Sequence, residues 1–233
     1  MKWVRLLDWF NRKCKGLCVR LGPHPKHRLT DEWHCWYMKH LRQGDDVLDY
    51  GSGTGSHSYQ IARLIGHVHA WEPGDYVPAK TYCYGGPSSP HEPHEFYSAV
   101  MLLDVLQLIP ERQELLRNLY NRLTEHGRLF IALPHADTPW RYRLRSAGLD
   151  GHYEDGAVKN YTYAEMVKEM NQAGFTVLHV EPTVYDTPWA GLIDLIGQVC
   201  WPLYHVLMQW KRRRVMANWS ESTGFRLVCV KSS

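Results

Sequence analysis

The stretch VLDYGSGTGSHSYQIA, beginning at Val47, sets Gly51, Gly53 and Gly55 between an apolar run and a helix-like segment. Glycine loses more backbone freedom on folding than any other residue and brings no side chain to bury. Three of them within five positions mark either a turn that packing forces or a backbone that something must approach. The flanks narrow the choice of fold. DVLDY reads as a buried strand, SHSYQIARLIG as a helix and HVHAWE as a second strand. Strand, glycine turn, helix and strand form a βαβ unit, which commits the chain to parallel sheet covered by helices.

The same alternation continues downstream. FYSAVMLLDVL is a strand running into a loop, Pro110 opens a helix that ends near Gly127, and RLFIAL is the next strand. Thr162 and Glu165 form a capping box for a helix that stops at Gly174, and FTVLHVE and GFRLVCVK are the last strands. Between Glu72 and Phe96 the pattern weakens into proline- and glycine-rich loop, with TYCY (81–84) as a short strand. Upstream, Trp3, Leu7, Phe10, Cys14, Leu17 and Leu21 recur at spacings of four and three among Lys2, Arg5, Arg12, Lys13 and Lys15, a basic amphipathic helix. Thr30 then precedes DEWHCWYMKHLRQ, a second helix ended by Gly44. The expected organisation is an N-terminal helix and linker over 1–29 and one main domain over 30–233, with a helical insertion at 188–219.

Composition excludes several classes. A chain of 233 residues with 44% hydrophobic and 22% charged residues is neither disordered nor a polytopic membrane protein. Its net charge of +3 does not announce a nucleic-acid binder. The six cysteines form no C-x-x-C pair, which predicts reduced thiols in a cytoplasmic setting. His67, His69, His91 and His94 lack zinc-site spacing, so no metal is expected. Asp8 and Arg12 interrupt any apolar signal-peptide core, and no apolar run reaches spanning length.

In an open parallel sheet, ligands bind beyond the carboxyl ends of the strands, and the first βα turn is the usual place. Asp49 precedes the glycines and Glu72 closes the second strand, where a carboxylate can accept both hydroxyls of a ribose. The dinucleotide fingerprint G-x-G-x-x-G fails at Ser56, which argues against a nicotinamide cofactor.

Together, VLDYGSGTGSHS, Glu72, MLLDVLQLIP and GRLFIALPH resemble the class I S-adenosylmethionine-dependent methyltransferases, especially those acting on small molecules, lipids and glycans. The resemblance runs over roughly residues 30 to 181 and the final strand. It implies a Rossmann-like α/β fold, with a mostly parallel seven-stranded sheet, helices on both faces and an amphipathic helix inserted before the last strand. It implies S-adenosylmethionine as cofactor, with Asp49, Gly51, Ser52, Gly53, Thr54 and Gly55 bordering its methionine part and Glu72 holding the ribose hydroxyls. Asp104 and Val105 would lie beneath the methionyl end and face the substrate. His57 would belong to the cofactor wall or the helix start. The chain departs from its relatives in having no acid after TYCY to meet the adenine amino group, and in carrying Gln107 and Leu108 where a Glu-His pair is common.

The expected activity is O-methylation of a glycan, a lipid-linked intermediate or a small hydroxylated metabolite; the alternative is a non-catalytic, methyltransferase-like subunit that binds a partner. An alcohol acceptor needs a base, for which His152 stands first, ahead of His135 and Asp104. Arg141, Arg143 and Arg145 alternate in WRYRLR; in an extended loop they would point one way and grip a phosphate or carboxylate. In the insertion, Asp194, Gln198, His205 and Gln209 leave a broad apolar face, Pro202 predicts a bend, and Lys211 to Arg214 form a basic tip. That helix is either a lid over the substrate or, with the N-terminal helix, a peripheral contact with an anionic membrane.

Overall fold

The computed structural model describes residues 1–53, 55–72, 96–149 and 157–232. The chain divides into two compact units. One comprises Met1–Thr30, Pro134–Thr162 and Pro182–Phe225, and the other comprises Asp31–Leu133, Tyr163–Glu181 and Arg226–Ser233.

The second unit is built on a six-stranded sheet. Its strands are β1 (Asp46–Tyr50), β2 (His67–Trp71), β3 (Tyr97–Leu103), β4 (Leu123–Pro134), β5 (Phe175–Pro182) and β6 (Gly224–Lys231), in the order β2-β1-β3-β4-β6-β5. The pairs β1/β2, β1/β3 and β3/β4 are parallel. At the other edge the direction reverses: the Thr183 N–H donates to the Gly224 carbonyl and the Thr223 N–H to the Val184 carbonyl, so positions rise on one strand as they fall on the other. Val47, Leu48 and Asp49 are all buried, as expected of a strand covered on both faces. The seventh strand expected at 81–84 lies outside the described residues.

Helices α2 (Ser56–Leu64), α3 (Arg112–Arg122) and α5 (Tyr163–Gln172) belong to this unit. Its core joins Ile61 of α2 and Ile65, just past its end, to Val47, Met101 and Phe130 of the sheet. The helix expected over DEWHCWYMKHLRQ is not formed; that segment is a series of turns ending in a short 3-10 helix, Trp36–His40. Tertiary contacts override its helical pattern. Trp36 and Tyr37 are driven into the core, the Asp31 carboxylate caps the His34 N–H at 3.0 Å, and the Arg226 guanidinium lies over the rings of Trp33 and Trp36.

The first unit is helical, with α1 (Lys2–Leu21), α4 (Pro139–Ser146), α6 (Ala190–Val199) and α7 (Trp201–Ala217). The insertion is thus two helices, broken at Cys200 with Pro202 in the first turn of α7. That agrees with a proline that is tolerated only at a helix start. α1 packs on α6, where the Asn11 side chain accepts a 2.5 Å hydrogen bond from the Gly191 N–H. A Cβ at Gly191 would run into the Asn11 main chain, so glycine is what lets the two helices touch.

Of the polar residues on the insertion, Asp194 and Gln198 turn inward, while His205 is exposed. The Gln198 amide donates to the carbonyls of Cys18, Gly22 and Pro23, and Asp194 pairs with His24 at 3.1 Å. The basic tip is also largely committed: Lys211 and Arg212 are buried, and Arg214 pairs with Glu221 at 3.0 Å.

Candidate functional site

The strand order places a switch point in the second unit. From β1 the chain crosses through α2 to β2 on one side, and β3 then pairs on the other side of β1. Connections diverge there, leaving a crevice beyond the carboxyl ends of β1 and β3. The glycine turn and Asp104 with Val105 both sit at those ends.

The three glycines do different jobs. All have positive φ, at 77°, 53° and 73° for Gly51, Gly53 and Gly55. Gly51 answers to packing: a Cβ there would collide with the Val105 side chain. Over Gly53, by contrast, a Cβ would meet nothing within 4 Å, so the main chain faces open space. Gly55 is the left-handed residue that turns the chain into α2. The turn is bound to β2 as well, since the N–H groups of Gly51 and Ser52 donate to the Trp71 carbonyl at 2.7 and 3.1 Å.

Glu72 follows directly, and its Oε2 accepts a 2.7 Å hydrogen bond from the Gly53 N–H. Among the described residues, no donor meets the other carboxylate oxygen. Asp49 is buried and accepts hydrogen bonds from both the hydroxyl and the N–H of Ser58 in the first turn of α2. Burial raises its pKa to about 6, with the neighbouring Glu72 charge adding to the rise and Ser58 opposing it. A carboxylate so placed gains from any cation brought beside it.

Two further side chains join this corner. The buried Tyr37 hydroxyl is 2.8 Å from His57 Nδ1, and the His57 ring stacks on His34 with centroids 5.2 Å apart. His57 therefore belongs to the start of α2. Tyr37 was not legible as a site residue because its partner lies twenty positions downstream and its segment reads as helix.

Asp104 is exposed at the end of β3 and holds φ at 59°, the only non-glycine with positive φ among the described residues. Its main chain is pinned from both sides: its N–H donates to the Ala132 carbonyl at 3.1 Å, and its carbonyl accepts from the Gln107 amide at 2.7 Å. Gln107, which stands in the place of the missing acidic residue, holds this conformation. Left-handed backbone at a non-glycine costs on the order of 1–2 kcal/mol and persists where its surroundings impose it.

The remaining candidates belong to the first unit. His135 is buried, with Nδ1 3.3 Å from the Ser222 carbonyl and its ring edge-on to Phe225. A carbonyl only accepts, so Nδ1 carries the proton and Nε2 holds the lone pair. Burial lowers its pKa and favours this neutral form. Thr54 and His152 lie outside the described residues.

WRYRLR is not an extended loop but α4. The Thr138 side chain caps it by accepting from the Arg141 N–H at 3.1 Å, and Pro139 occupies its first position. Alternating arginines on a helix cannot point one way. Arg141 is buried and lies 3.4 Å from Asp186, which also accepts from the Thr138 hydroxyl at 2.5 Å. Arg145 bonds the Ala136 carbonyl at 2.7 Å and pairs with Asp137 at 2.9 Å. Arg143 and Arg145, with Asp137, Tyr142 and Ser220, line an open hollow of about 600 Å³. No group of three or more histidine, cysteine or acidic side chains among the described residues is arranged to hold a metal ion. The five cysteines described are free thiols.

A glycine turn at a switch point, a strand-end acid beside it and a buried acid behind it define a nucleotide-type site in an α/β sheet. The family of methyltransferase domains matches residues 7–180, and the chain belongs to it, as a class I S-adenosylmethionine-dependent methyltransferase. S-adenosylmethionine is its cofactor, and the open space over Gly53 together with the two acids fits that molecule. Among solved structures, the CcbJ methyltransferase from Streptomyces caelestis is 16% identical, with 91% of this chain and 97% of that one covered at a TM-score of 0.56. Magnesium protoporphyrin IX methyltransferase from Synechocystis PCC 6803, with bound S-adenosylhomocysteine, is 14% identical over 96% and 83% of the two chains, TM-score 0.52. The 1,6-didemethyltoxoflavin-N1-methyltransferase of Burkholderia thailandensis is 13% identical over 86% and 76%, TM-score 0.51. At such identities the likeness concerns the fold. No curated protein matches the sequence.

Proposed function

We propose that this methyltransferase acts on a small-molecule acceptor, by O-methylation of a glycan, a lipid-linked intermediate or a small hydroxylated metabolite. The observation that carries the cofactor site within this proposal is Glu72, held at the end of β2 by the Gly53 N–H with one carboxylate oxygen left for a ribose hydroxyl. Structural neighbours with low-molecular-weight acceptors in their names support the acceptor class.

When bound, S-adenosylmethionine supplies a methyl group already activated on a sulfonium sulfur. The protein then has to orient and exclude water more than to activate. Glu72 would hold the ribose, while Gly53 would let the main chain come close and Asp49 would offer negative charge to the cationic methionine part. Asp104, with Val105, faces the acceptor. An alcohol acceptor would need a base to take its proton as it meets the activated methyl group. His152 is the first candidate for that base, followed by His135 and Asp104. The Nε2 lone pair fixed by the Ser222 carbonyl supports His135. Arg143 and Arg145 are proposed to hold an anionic group of the acceptor, with Arg141 shaping α4 beneath them. A cytoplasmic setting with peripheral membrane contact completes the proposal.

The test is transfer of a labelled methyl group to fractionated cell extract and to defined lipid, glycan and hydroxylated acceptors, followed by identification of the product. A methylated hydroxyl in such a molecule supports it. Label found only on protein or nucleic acid refutes the acceptor class. Replacement of His152 or His135 by Gln separates the base candidates: the true base loses on the order of 10²-fold or more in kcat while cofactor affinity holds.

A further inference from the structure

Helix α1 is packed inside out. The side it buries carries Asp8, Asn11, Cys14 and Cys18, and the side it leaves in water carries Trp3, Leu6, Phe10, Leu17 and Leu21. At 3.6 residues per turn these five fall within an arc of about 60°. All five are exposed, from Trp3 at 76% down to Phe10 at 36%. The stripe runs the whole helix, whose 20 residues give it a length of roughly 30 Å. Beside Phe10 it continues onto Trp189, whose ring meets Phe10 edge-on at 6.3 Å. An apolar surface this continuous on a folded protein marks an interaction face.

The charges on the helix select the partner. α1 carries six basic residues and one acid, and the acid, Asp8, is buried on the opposite side and paired with Arg12. Arg5 is turned away as well, donating to the Ala147 carbonyl. Lys15 projects on the buried side, its stem beside Gly191, so Lys2, Lys13 and Arg20 remain, all exposed and all within about 40° of one edge of the stripe. No carboxylate among the described residues pairs with them. An apolar stripe bordered by cations alone, with tryptophan at its outer end, has the form of a helix lying in the headgroup layer of an anionic bilayer.

We propose that α1 docks the protein flat on an anionic membrane surface, with Trp3, Leu6, Phe10, Leu17 and Leu21 among the acyl chains and Lys2, Lys13 and Arg20 on the lipid phosphates. This deepens the peripheral-contact element of the proposed function by naming the surface. It places the burden on α1 rather than on the insertion, whose basic tip is largely buried or paired. It stands without the methyl-transfer element, because every residue involved lies in the first unit.

The experiment is flotation of the full chain with vesicles of phosphatidylcholine alone and of an equal mixture with phosphatidylglycerol, at low and high salt. Expected is flotation with the mixed vesicles at low salt and little with the neutral ones. Lys13→Glu with Arg20→Glu should weaken binding by roughly thirty-fold or more. Trp3→Ser with Phe10→Ser should weaken it by on the order of a hundred-fold. Lys13, Arg20 and Trp3 face solvent and Phe10 touches the Trp189 ring, so the charge variant should keep the wild-type melting temperature and the serine variant should lie close to it. Quenching of tryptophan fluorescence by brominated lipid tests insertion on the unaltered chain, and Trp3→Phe should reduce it. A chain that stays in the soluble fraction, floats equally with neutral vesicles, or floats undiminished in both double variants overturns the proposal. So does a dimer in solution that Trp3→Ser with Phe10→Ser converts to monomer. Cofactor binding by calorimetry, run in parallel, keeps failure here distinct from failure of the enzymatic reading.

Discussion

The main-chain N–H of Gly53 donates a 2.7 Å hydrogen bond to Oε2 of Glu72, nineteen residues away on the neighbouring strand. One carboxylate thus shapes the glycine turn and, in the proposed function, would also hold the ribose. Glu72→Ala should weaken S-adenosylmethionine and S-adenosylhomocysteine binding by about 10- to 100-fold, the loss of one or two charge-assisted hydrogen bonds. Glu72→Gln should lose less, since it can still accept from Gly53. Calorimetric titration measures both, and unchanged affinity in the alanine variant would remove Glu72 from the site.

Gly51 and Gly53 should respond differently to the same substitution. Gly51→Ala drives a Cβ into Val105 at positive φ and should destabilise the fold by about 2–4 kcal/mol, part of which Val105→Ala restores. Gly53→Ala meets open space and should cost only about 1–2 kcal/mol for its backbone conformation while reducing cofactor affinity. Denaturant midpoints and calorimetry, read together, distinguish packing from approach.

Asp49 predicts a pH dependence of definite sign. Burial raises its folded pKa from 3.8 to about 6, so across that interval the folded chain binds the proton more tightly than the unfolded one. The contribution to stability is fully present below about pH 4 and is lost as pH rises through about 6. A cationic ligand favours the carboxylate, so cofactor affinity should rise through the same window, up to roughly 10-fold between pH 5 and pH 7. Asp49→Asn should flatten both trends, and persistence of the affinity trend in that variant would assign it elsewhere.

Asp104 holds left-handed backbone without being glycine. Asp104→Gly should therefore stabilise the protein by about 1 kcal/mol and lower methyl transfer, whereas Asp104→Asn should fold like wild type. Thermal melts with turnover measurements check the pair. Gain of stability with full activity would make the strain merely structural.

On α4, Arg141→Ala should cost about 3–5 kcal/mol by stranding Asp186 in a buried setting. Arg143→Ala should leave melting unchanged and raise KM for an anionic acceptor. If Arg143→Ala alters neither KM nor kcat, the hollow beside it does not take substrate.

The parallel strands and the glycine turn were legible because they are local patterns: DVLDY carries a short apolar run between its two acids, and three glycines at alternate positions have few uses. Glu72 was legible by its distance from that turn. Where a segment's structure depends on remote partners, the pattern misled. DEWHCWYMKHLRQ has helical spacing, yet Trp36 and Tyr37 are drawn into the sheet's core. WRYRLR alternates like an extended segment, but the Thr138-Pro139 start signal before it makes it a helix.

The chain order of strands, helices and acids follows from side-chain periodicity and turn chemistry, which each segment carries within itself. Tertiary structure alone decided which glycine serves packing and which faces open space, that Gln107 pins Asp104, and that Arg141 is spent on Asp186 while Arg143 lines a hollow. It also decided that α1 hides its polar side and shows its tryptophan and leucines to water. Amphipathic spacing says that a helix has two faces; which one is buried depends on the surface that meets it, and that surface comes from residues some 180 positions away.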